Sequence, residues 1–118
     1  MAKILVVDDA EFLRLRISKM LAGDGHEIVE AENGAVAVTV YKNERPDLVF
    51  MDITMPELDG LSALNEIRRG DPQAKVVMLT ALGQESIVLE AIKAGARDFV
   101  VKPFERERVL GAIEKLLG

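Results

Sequence analysis

Five polar side chains in this sequence stand just after short apolar runs, a placement at which α/β proteins commonly bind ligands. Two follow residues 3–7 and one each follows 47–51, 76–79 and 99–101; they are Asp8, Asp9, Asp52, Thr80 and Lys102. Runs of consecutive apolar residues predict strands buried on both faces, as in a parallel sheet covered by helices. Because ligands bind at the carboxyl ends of such strands, the spacing predicts one pocket holding three carboxylates, a hydroxyl and an ammonium.

Such a group of acids is costly to hold together without a function. Two carboxylates about 4 Å apart repel by roughly 4 kcal/mol at an effective dielectric constant near 20. A trio therefore costs on the order of 5 kcal/mol, which is comparable with the whole stability of a small domain. This favours a pocket that binds a cation. Asp8 and Asp9 taken alone leave another interpretation open, that they cap the first helix, since aspartate is a preferred N-cap.

Helical periodicity separates the apolar runs, as in Leu13, Ile17 and Leu21. We predict a strand over 26–31 and helices that end near 23–25, span 35–42, carry Leu61 to Ile67, span 84–94 and carry Val109 to Leu117. Alternating strands and helices, without a linker or repeat, predict one domain over 1–118. Right-handed crossovers favour a doubly wound (βα)5 parallel sheet of order 2-1-3-4-5, a flavodoxin-like three-layer α/β sandwich with Asp52 facing Asp8 and Asp9.

The composition narrows the class of function. The 118 residues carry a net charge of −5, which argues against direct nucleic-acid binding. There is no cysteine, and hydrophobic residues make up 49% of the chain in short runs, without a basic region followed by a long apolar stretch. We therefore expect a cytoplasmic domain that has no secretory signal and does not associate with a membrane.

Four motifs, each at a predicted strand end, resemble those of the receiver domain of two-component response regulators. They are Val7-Asp8-Asp9, the segment 51–56 with Asp59-Gly60, Leu79-Thr80-Ala81, and the segment 101–104. The resemblance extends over essentially the whole chain. Within the family, the segments 8–14 and 90–96 are most similar to the stand-alone regulators of the chemotaxis type.

The resemblance implies a phosphorylation site. Asp52 would accept a phosphoryl group from a sensor histidine kinase or a small phosphodonor, and Lys102 and Thr80 would contact phosphoryl oxygens. Mg²⁺ would be bound by Asp9, Asp52 and the backbone carbonyl of Thr54, with Asp8 acting through water. No other cofactor is implied. The chain would catalyse its own phosphorylation and dephosphorylation without being an enzyme for another substrate.

The same resemblance implies how phosphorylation is transmitted. Thr80 and Phe99 would move together and change the face formed by the fourth helix, fifth strand and fifth helix. That face would control a protein partner, which in the chemotaxis type would be the flagellar motor switch. Thr54, Ala81, Leu82 and Pro103 would flank the pocket, and the bond between Lys102 and Pro103 is expected to be cis. We expect a monomer, with dimerisation on phosphorylation as an open alternative.

Other functions remain open at this stage. The chain could be the receiver of a longer transcriptional or enzymatic regulator, or an adaptor that does not depend on phosphorylation. Phe99 could simply be a core residue of the fifth strand without a switch role. A phosphohydrolase of the haloacid dehalogenase type would want an acid at position 54, and a flavin-binding protein would want hydroxyl and glycine donors where Asp8 and Asp9 stand. Five further residues are predicted to be exposed without chemical roles: His26, Arg14, Arg16, Arg68 and Arg69.

Overall fold

The protein alternates five strands with five helices. The computed structural model describes residues 2–118. The strands are β1 (Lys3–Val7), β2 (Glu27–Ala31), β3 (Leu48–Asp52), β4 (Val76–Thr80) and β5 (Asp98–Val101). The helices are α1 (Glu11–Ala22), α2 (Gly34–Glu44), α3 (Gly60–Gly70), α4 (Glu85–Lys93) and α5 (Arg106–Leu117). The predicted elements are confirmed, although α2 is longer than residues 35–42 and ends only where Arg45 adopts φ of 48°.

The five strands form one parallel sheet in the order β2-β1-β3-β4-β5, as predicted. Val7 at the end of β1 pairs with Met51 of β3, and Asp52 pairs with Leu79 of β4. The carboxyl ends of β1, β3 and β4 are therefore level with one another. This register brings the polar residues at those ends to one edge of the sheet.

Two apolar layers hold the helices against the sheet. One layer lies between one face of the sheet and the helices α2, α3 and α4, and it includes Leu5, Met51, Leu64 and Met78. The other layer lies between the opposite face of the sheet and the helices α1 and α5, and it includes Ile4, Ile17, Phe50 and Ile113. Because successive side chains of a strand point to opposite faces, those of the central strands contribute alternately to the two layers.

Gly60 allows α3 to begin directly beside the end of β3. A Cβ atom at this position would lie 2.0 Å from the backbone oxygen of Asp52, so no other residue fits. The Gly60 N–H donates to the carbonyl of Ile53 at 2.7 Å, and the side chain of Asp59 caps the helix by accepting from Ser62 N at 2.8 Å. These contacts fix the chain that follows Asp52.

The prediction that the fifth strand is buried on both faces is wrong. Strand β5 lies at the edge of the sheet, and Phe99 and Val101 are 38% and 40% exposed. Its inward residue Val100 is fully buried. The outward side chains of Phe99 and Val101 line an open groove between β5 and α4.

Three residues predicted to be exposed are partly buried and bonded instead. Arg14 pairs with Glu30 at 3.1 Å and is 13% exposed. Arg68 folds over Gly95, where a Cβ would meet its guanidinium, and donates to the Ala94 carbonyl. His26 accepts a hydrogen bond from Ala2 N at 3.2 Å. In residues 2–118, no helix is long and apolar enough to cross a membrane.

Candidate functional site

The predicted acidic pocket forms at the carboxyl ends of β1 and β3. Asp8 and Asp9 follow β1, and Asp52 is the last residue of β3, the strand beside it. Each of the three side chains offers a carboxylate oxygen, and these oxygens lie within 4.8 Å of one another. Asp8 and Asp52 are buried, whereas Asp9 is exposed at the rim.

Lys102 reaches this pocket from the end of β5. Its Nζ donates to Asp8 Oδ2 at 3.0 Å and to Asp52 Oδ1 at 2.9 Å. Burial alone would lower the pKa of Lys102, but the hydrogen bonds and charges of Asp52 and Asp8 outweigh it, so its pKa is raised. The lysine is therefore a cation shared by two buried carboxylates. The Lys102–Pro103 bond is cis, as expected, and Pro103 is exposed beside the pocket.

Asp8 is held from three sides. Its Oδ1 accepts from Ala10 N at 2.9 Å, and its backbone carbonyl accepts from Arg14 Nη1 at 2.6 Å. The N-cap position of α1 is Ala10, which has no side-chain cap. The interpretation of Asp8 and Asp9 as mere helix caps is therefore wrong, because the second oxygen of Asp8 faces Lys102. Arg14 contributes to the site by fixing the Asp8 backbone, a role that the sequence did not indicate.

The environment of Asp52 keeps its carboxylate basic. Burial raises its pKa, the hydrogen bond from Lys102 lowers it, and the negative charge of Asp8 raises it further; the net effect is a raised pKa. Oδ1 also accepts from Ile53 N at 3.0 Å. Burial thus leaves Asp52 with a more basic carboxylate, the kind of oxygen that can serve as a nucleophile or bind a cation.

Thr80 and Thr54 are joined by a residue that the sequence analysis missed. Gln84 Oε1 accepts from Thr80 Oγ1 at 3.1 Å and from Ala81 N at 2.7 Å. Its Nε2 donates to Thr54 Oγ1 at 3.0 Å. The side chain thus spans the gap between the loops that follow β3 and β4. No motif pointed to Gln84, and only its position four residues after Thr80 could have suggested contact.

Phe99 and Leu82 line an apolar groove and not the acidic pocket itself. The groove runs between β5 and α4, and the side chains of Val88, Leu89 and Ile92 form much of its other wall. Leu82 is 84% exposed, and Ala81 is also exposed. Thr80 borders the groove, so it lies between the acidic pocket and the exposed aromatic ring.

The donor set of the pocket fits a hard divalent cation. Carboxylate oxygens are the ligands that Mg²⁺ uses in proteins, together with waters and phosphoryl oxygens. The three oxygens of Asp8, Asp9 and Asp52 are close enough to share one ion, and the buried Asp8 and Asp52 share the ammonium of Lys102. The exposed Asp9 leaves the rim accessible to solvent and to a phosphodonor.

Fold and pocket together define a class: flavodoxin-like α/β domains with a carboxylate cluster at the switch point of the sheet. Comparison with known proteins gives the family. Residues 4–114 match the family described as "Response regulator receiver domain". The chain therefore belongs to the response regulator receiver domain family, and not to the phosphohydrolases or flavin-binding proteins.

Relatives within the family include stand-alone and multidomain proteins. The chain is 58% identical to the chemotaxis protein CheY of Bacillus subtilis, over 98% of each chain. It superimposes on the CheX–CheY–BeF3–Mg complex of Borrelia burgdorferi with a TM-score of 0.92 and 36% identity, covering 98% of this chain and 89% of that one. It also superimposes on NtrX of Brucella abortus with a TM-score of 0.93 and 37% identity, covering 98% of this chain and 26% of that chain.

Proposed function

We propose that the chain is a phosphorylation-activated signalling switch whose phosphoacceptor is Asp52. The observation that carries the proposal is the Lys102 ammonium, which lies 2.9 Å from Asp52 Oδ1 and 3.0 Å from Asp8 Oδ2. An ammonium in this position orients the acceptor carboxylate before reaction. It can then contact a phosphoryl oxygen as a compact positive charge.

The reaction would transfer a phosphoryl group from a histidine nitrogen of a sensor kinase, or from an acyl phosphate, to a carboxylate oxygen of Asp52. One P–N or P–O bond breaks and one P–O bond to Asp52 forms. Mg²⁺, when bound, would neutralise charge on the phosphoryl group. Asp8, Asp9, Asp52 and the Thr54 carbonyl would hold it, and the Thr80 hydroxyl would donate to the phosphoryl group. The chain would itself accelerate this transfer and the later hydrolysis of the aspartyl phosphate.

The output would be a changed face formed by α4, β5 and α5. Phe99 lies on this face beside Thr80, so a displaced Thr80 hydroxyl would open space for the ring. The 58% identity to a chemotaxis protein supports a stand-alone cytoplasmic regulator that acts on a protein partner such as the flagellar motor switch. Leu82 and Thr54 would flank the mouth of the pocket and adjust access of water to the phosphoryl group, with Ala81 and Pro103 also flanking it.

A second candidate concerns the context of the domain. The match to about a quarter of the NtrX chain supports a receiver module within a longer regulator. The two candidates share the same phosphorylation chemistry. They differ in the partner that reads the α4–β5–α5 face.

The test is intact-mass analysis after incubation with acetyl phosphate, with and without Mg²⁺. Wild type should gain one phosphoryl group only when Mg²⁺ is present, and Asp52→Asn should gain none. Asp24→Asn is the matched control, because the Asp24 side chain forms a surface ion pair with Arg106 and is not one of the acidic residues of the pocket. Equal modification of Asp52→Asn and wild type would show that another residue is the acceptor and would reject the proposal.

A further inference from the structure

Before phosphorylation, the Thr80 hydroxyl donates a hydrogen bond to the Gln84 side chain. Thr80 Oγ1 lies 3.1 Å from Gln84 Oε1 and 3.2 Å from the Ala81 carbonyl. A hydroxyl has one proton, so it can make one full donor bond at a time. Donation to a phosphoryl oxygen on Asp52 therefore requires that the bond to Gln84 be given up.

Gln84 is itself fixed by two other bonds. Its Oε1 also accepts from Ala81 N at 2.7 Å, and its Nε2 donates to Thr54 Oγ1 at 3.0 Å. The amide is thus anchored from the loops after β3 and β4 and presents its oxygen to Thr80 in a set orientation. Helix α4 has no side-chain cap at its N-terminus, so the side chain does not serve as a cap for that helix.

We infer that Gln84 is a positioning residue that holds the Thr80 hydroxyl away from the acceptor until a phosphoryl group competes for its proton. The inference rests on the proposed function. The Gln84 backbone carbonyl accepts from Val88 N at 3.0 Å, in the first turn of α4. Release of Thr80 therefore occurs at the residue from which the helix of the output face begins.

The expected size of the effect follows from the bond that is lost. A neutral hydrogen bond contributes about 1 kcal/mol net, which corresponds to roughly fivefold in an equilibrium constant. Gln84→Met keeps the length of the side chain and removes both the acceptor and the donor. When a phosphoryl mimic binds, wild type must break the Thr80–Gln84 bond, whereas the variant gives up only the longer contact between Thr80 and the Ala81 carbonyl.

The experiment is a double-mutant cycle with beryllofluoride as the probe, in saturating Mg²⁺, by titration calorimetry. The proteins are wild type, Gln84→Met, Thr80→Val and the double variant. Gln73→Met is the matched control, because Gln73 is exposed and lies in the loop between α3 and β4. Mg²⁺ affinity without beryllofluoride, measured on the same proteins, reports any general distortion of the pocket.

We expect Gln84→Met to bind beryllofluoride about five times more tightly than wild type, with unchanged Mg²⁺ affinity and no effect of Gln73→Met. In the Thr80→Val background the same change should have no effect. Equal or weaker binding by Gln84→Met, or the same gain in both backgrounds, would overturn the inference and leave the proposed function intact. Absence of binding to wild type would reject the proposed function and, with it, the inference.

Discussion

Replacing Lys102 with methionine tests whether the pocket depends on its shared ammonium. Lys102 Nζ lies 3.0 Å from Asp8 and 2.9 Å from Asp52, whose side chains are 1% and 10% exposed. At an effective dielectric constant near 20, each contact has a gross attraction of roughly 5.5 kcal/mol, most of which is offset by desolvation. Removing one partner of a buried ion pair typically costs 3–5 kcal/mol. We expect a loss of about 3 kcal/mol in the free energy of unfolding, since the carboxylates can partly relieve the loss by taking up protons.

The assay is urea denaturation at pH 7 in EDTA and again in excess Mg²⁺. Lys115→Met is the matched control, because Lys115 is 61% exposed and lies 3.7 Å from Asp98, so its ion pair should contribute less than about 1 kcal/mol. Mg²⁺ should restore most of the loss in Lys102→Met, since a bound cation stabilises the folded state by mass action. It should also bind this variant more tightly than wild type, because no ammonium competes for the same oxygens.

The pH dependence of Lys102→Met has a defined sign. Burial already raises the pKa of Asp52 above its ordinary value of 3.8, and loss of the lysine raises it further. Between the unfolded and folded pKa values, the folded variant binds more protons than the unfolded chain, so it gains stability as the pH falls. The defect should therefore shrink from pH 7 towards pH 4. If Lys102→Met is as stable as Lys115→Met in EDTA, the ammonium does not compensate the buried carboxylates and the electrostatic reasoning is refuted.

Two further changes test the surroundings of the pocket and the fold. Asp9→Asn should raise the free energy of unfolding without Mg²⁺ by about 1 kcal/mol, because Asp9 lies within 4.8 Å of Asp8 and Asp52 at an exposed rim, and it should weaken Mg²⁺ binding. Melting curves in EDTA measure the first effect and calorimetry the second. An unchanged or lower melting temperature in EDTA would contradict the prediction. Tyr41→Phe should cost about 1 kcal/mol at pH 7, because the Tyr41 hydroxyl donates to Asp71 at 2.6 Å. That bond lowers the pKa of Asp71 below 3.8, so the stability that the bond contributes is present above pH 3.8 and is lost as the pH falls. An equal loss of stability in Tyr41→Phe at pH 7 and pH 3 would contradict the prediction.

Backbone topology explains why the pocket could be predicted from the sequence. Strands β1, β3, β4 and β5 are apolar runs with polar residues at or just after their carboxyl ends, and right-handed crossovers leave few possible orders. Once β1 and β3 are neighbours, Asp8 and Asp52 must lie close together whatever their rotamers. The cis bond before Pro103 was expected from the family resemblance alone, since the matching motif, and not the presence of a proline by itself, indicates a cis bond.

Side-chain direction explains why other contacts were missed. Gln84, Arg14 and Arg68 are long side chains whose partners depend on several torsion angles, so sequence spacing does not fix what they reach. Arg14 and Arg68 were expected on exposed polar faces and no motif pointed to Gln84, yet each bonds to a backbone or side-chain group from another element. The open face of β5 was missed for a different reason: an apolar run looks the same whether its outer side is covered or left for a partner.

The formal charge of the pocket explains why its parts must act together. Three carboxylates and one ammonium leave it at −2, so an arriving phosphoryl group is repelled until that charge is cancelled. Asp8, Asp9 and Asp52 would hold a divalent cation that cancels this charge, which would free Lys102 to turn from Asp8 towards the phosphoryl oxygens without leaving a buried carboxylate unpaired. In the proposed switch, the Thr80 hydroxyl would stay bound to Gln84 until that point and would gain a stronger acceptor only once the phosphoryl group is in place. Charge compensation thus comes first and the change at α4 follows, so substitutions in the acidic pocket should alter phosphorylation itself, whereas substitutions at Gln84 should alter how readily it is transmitted.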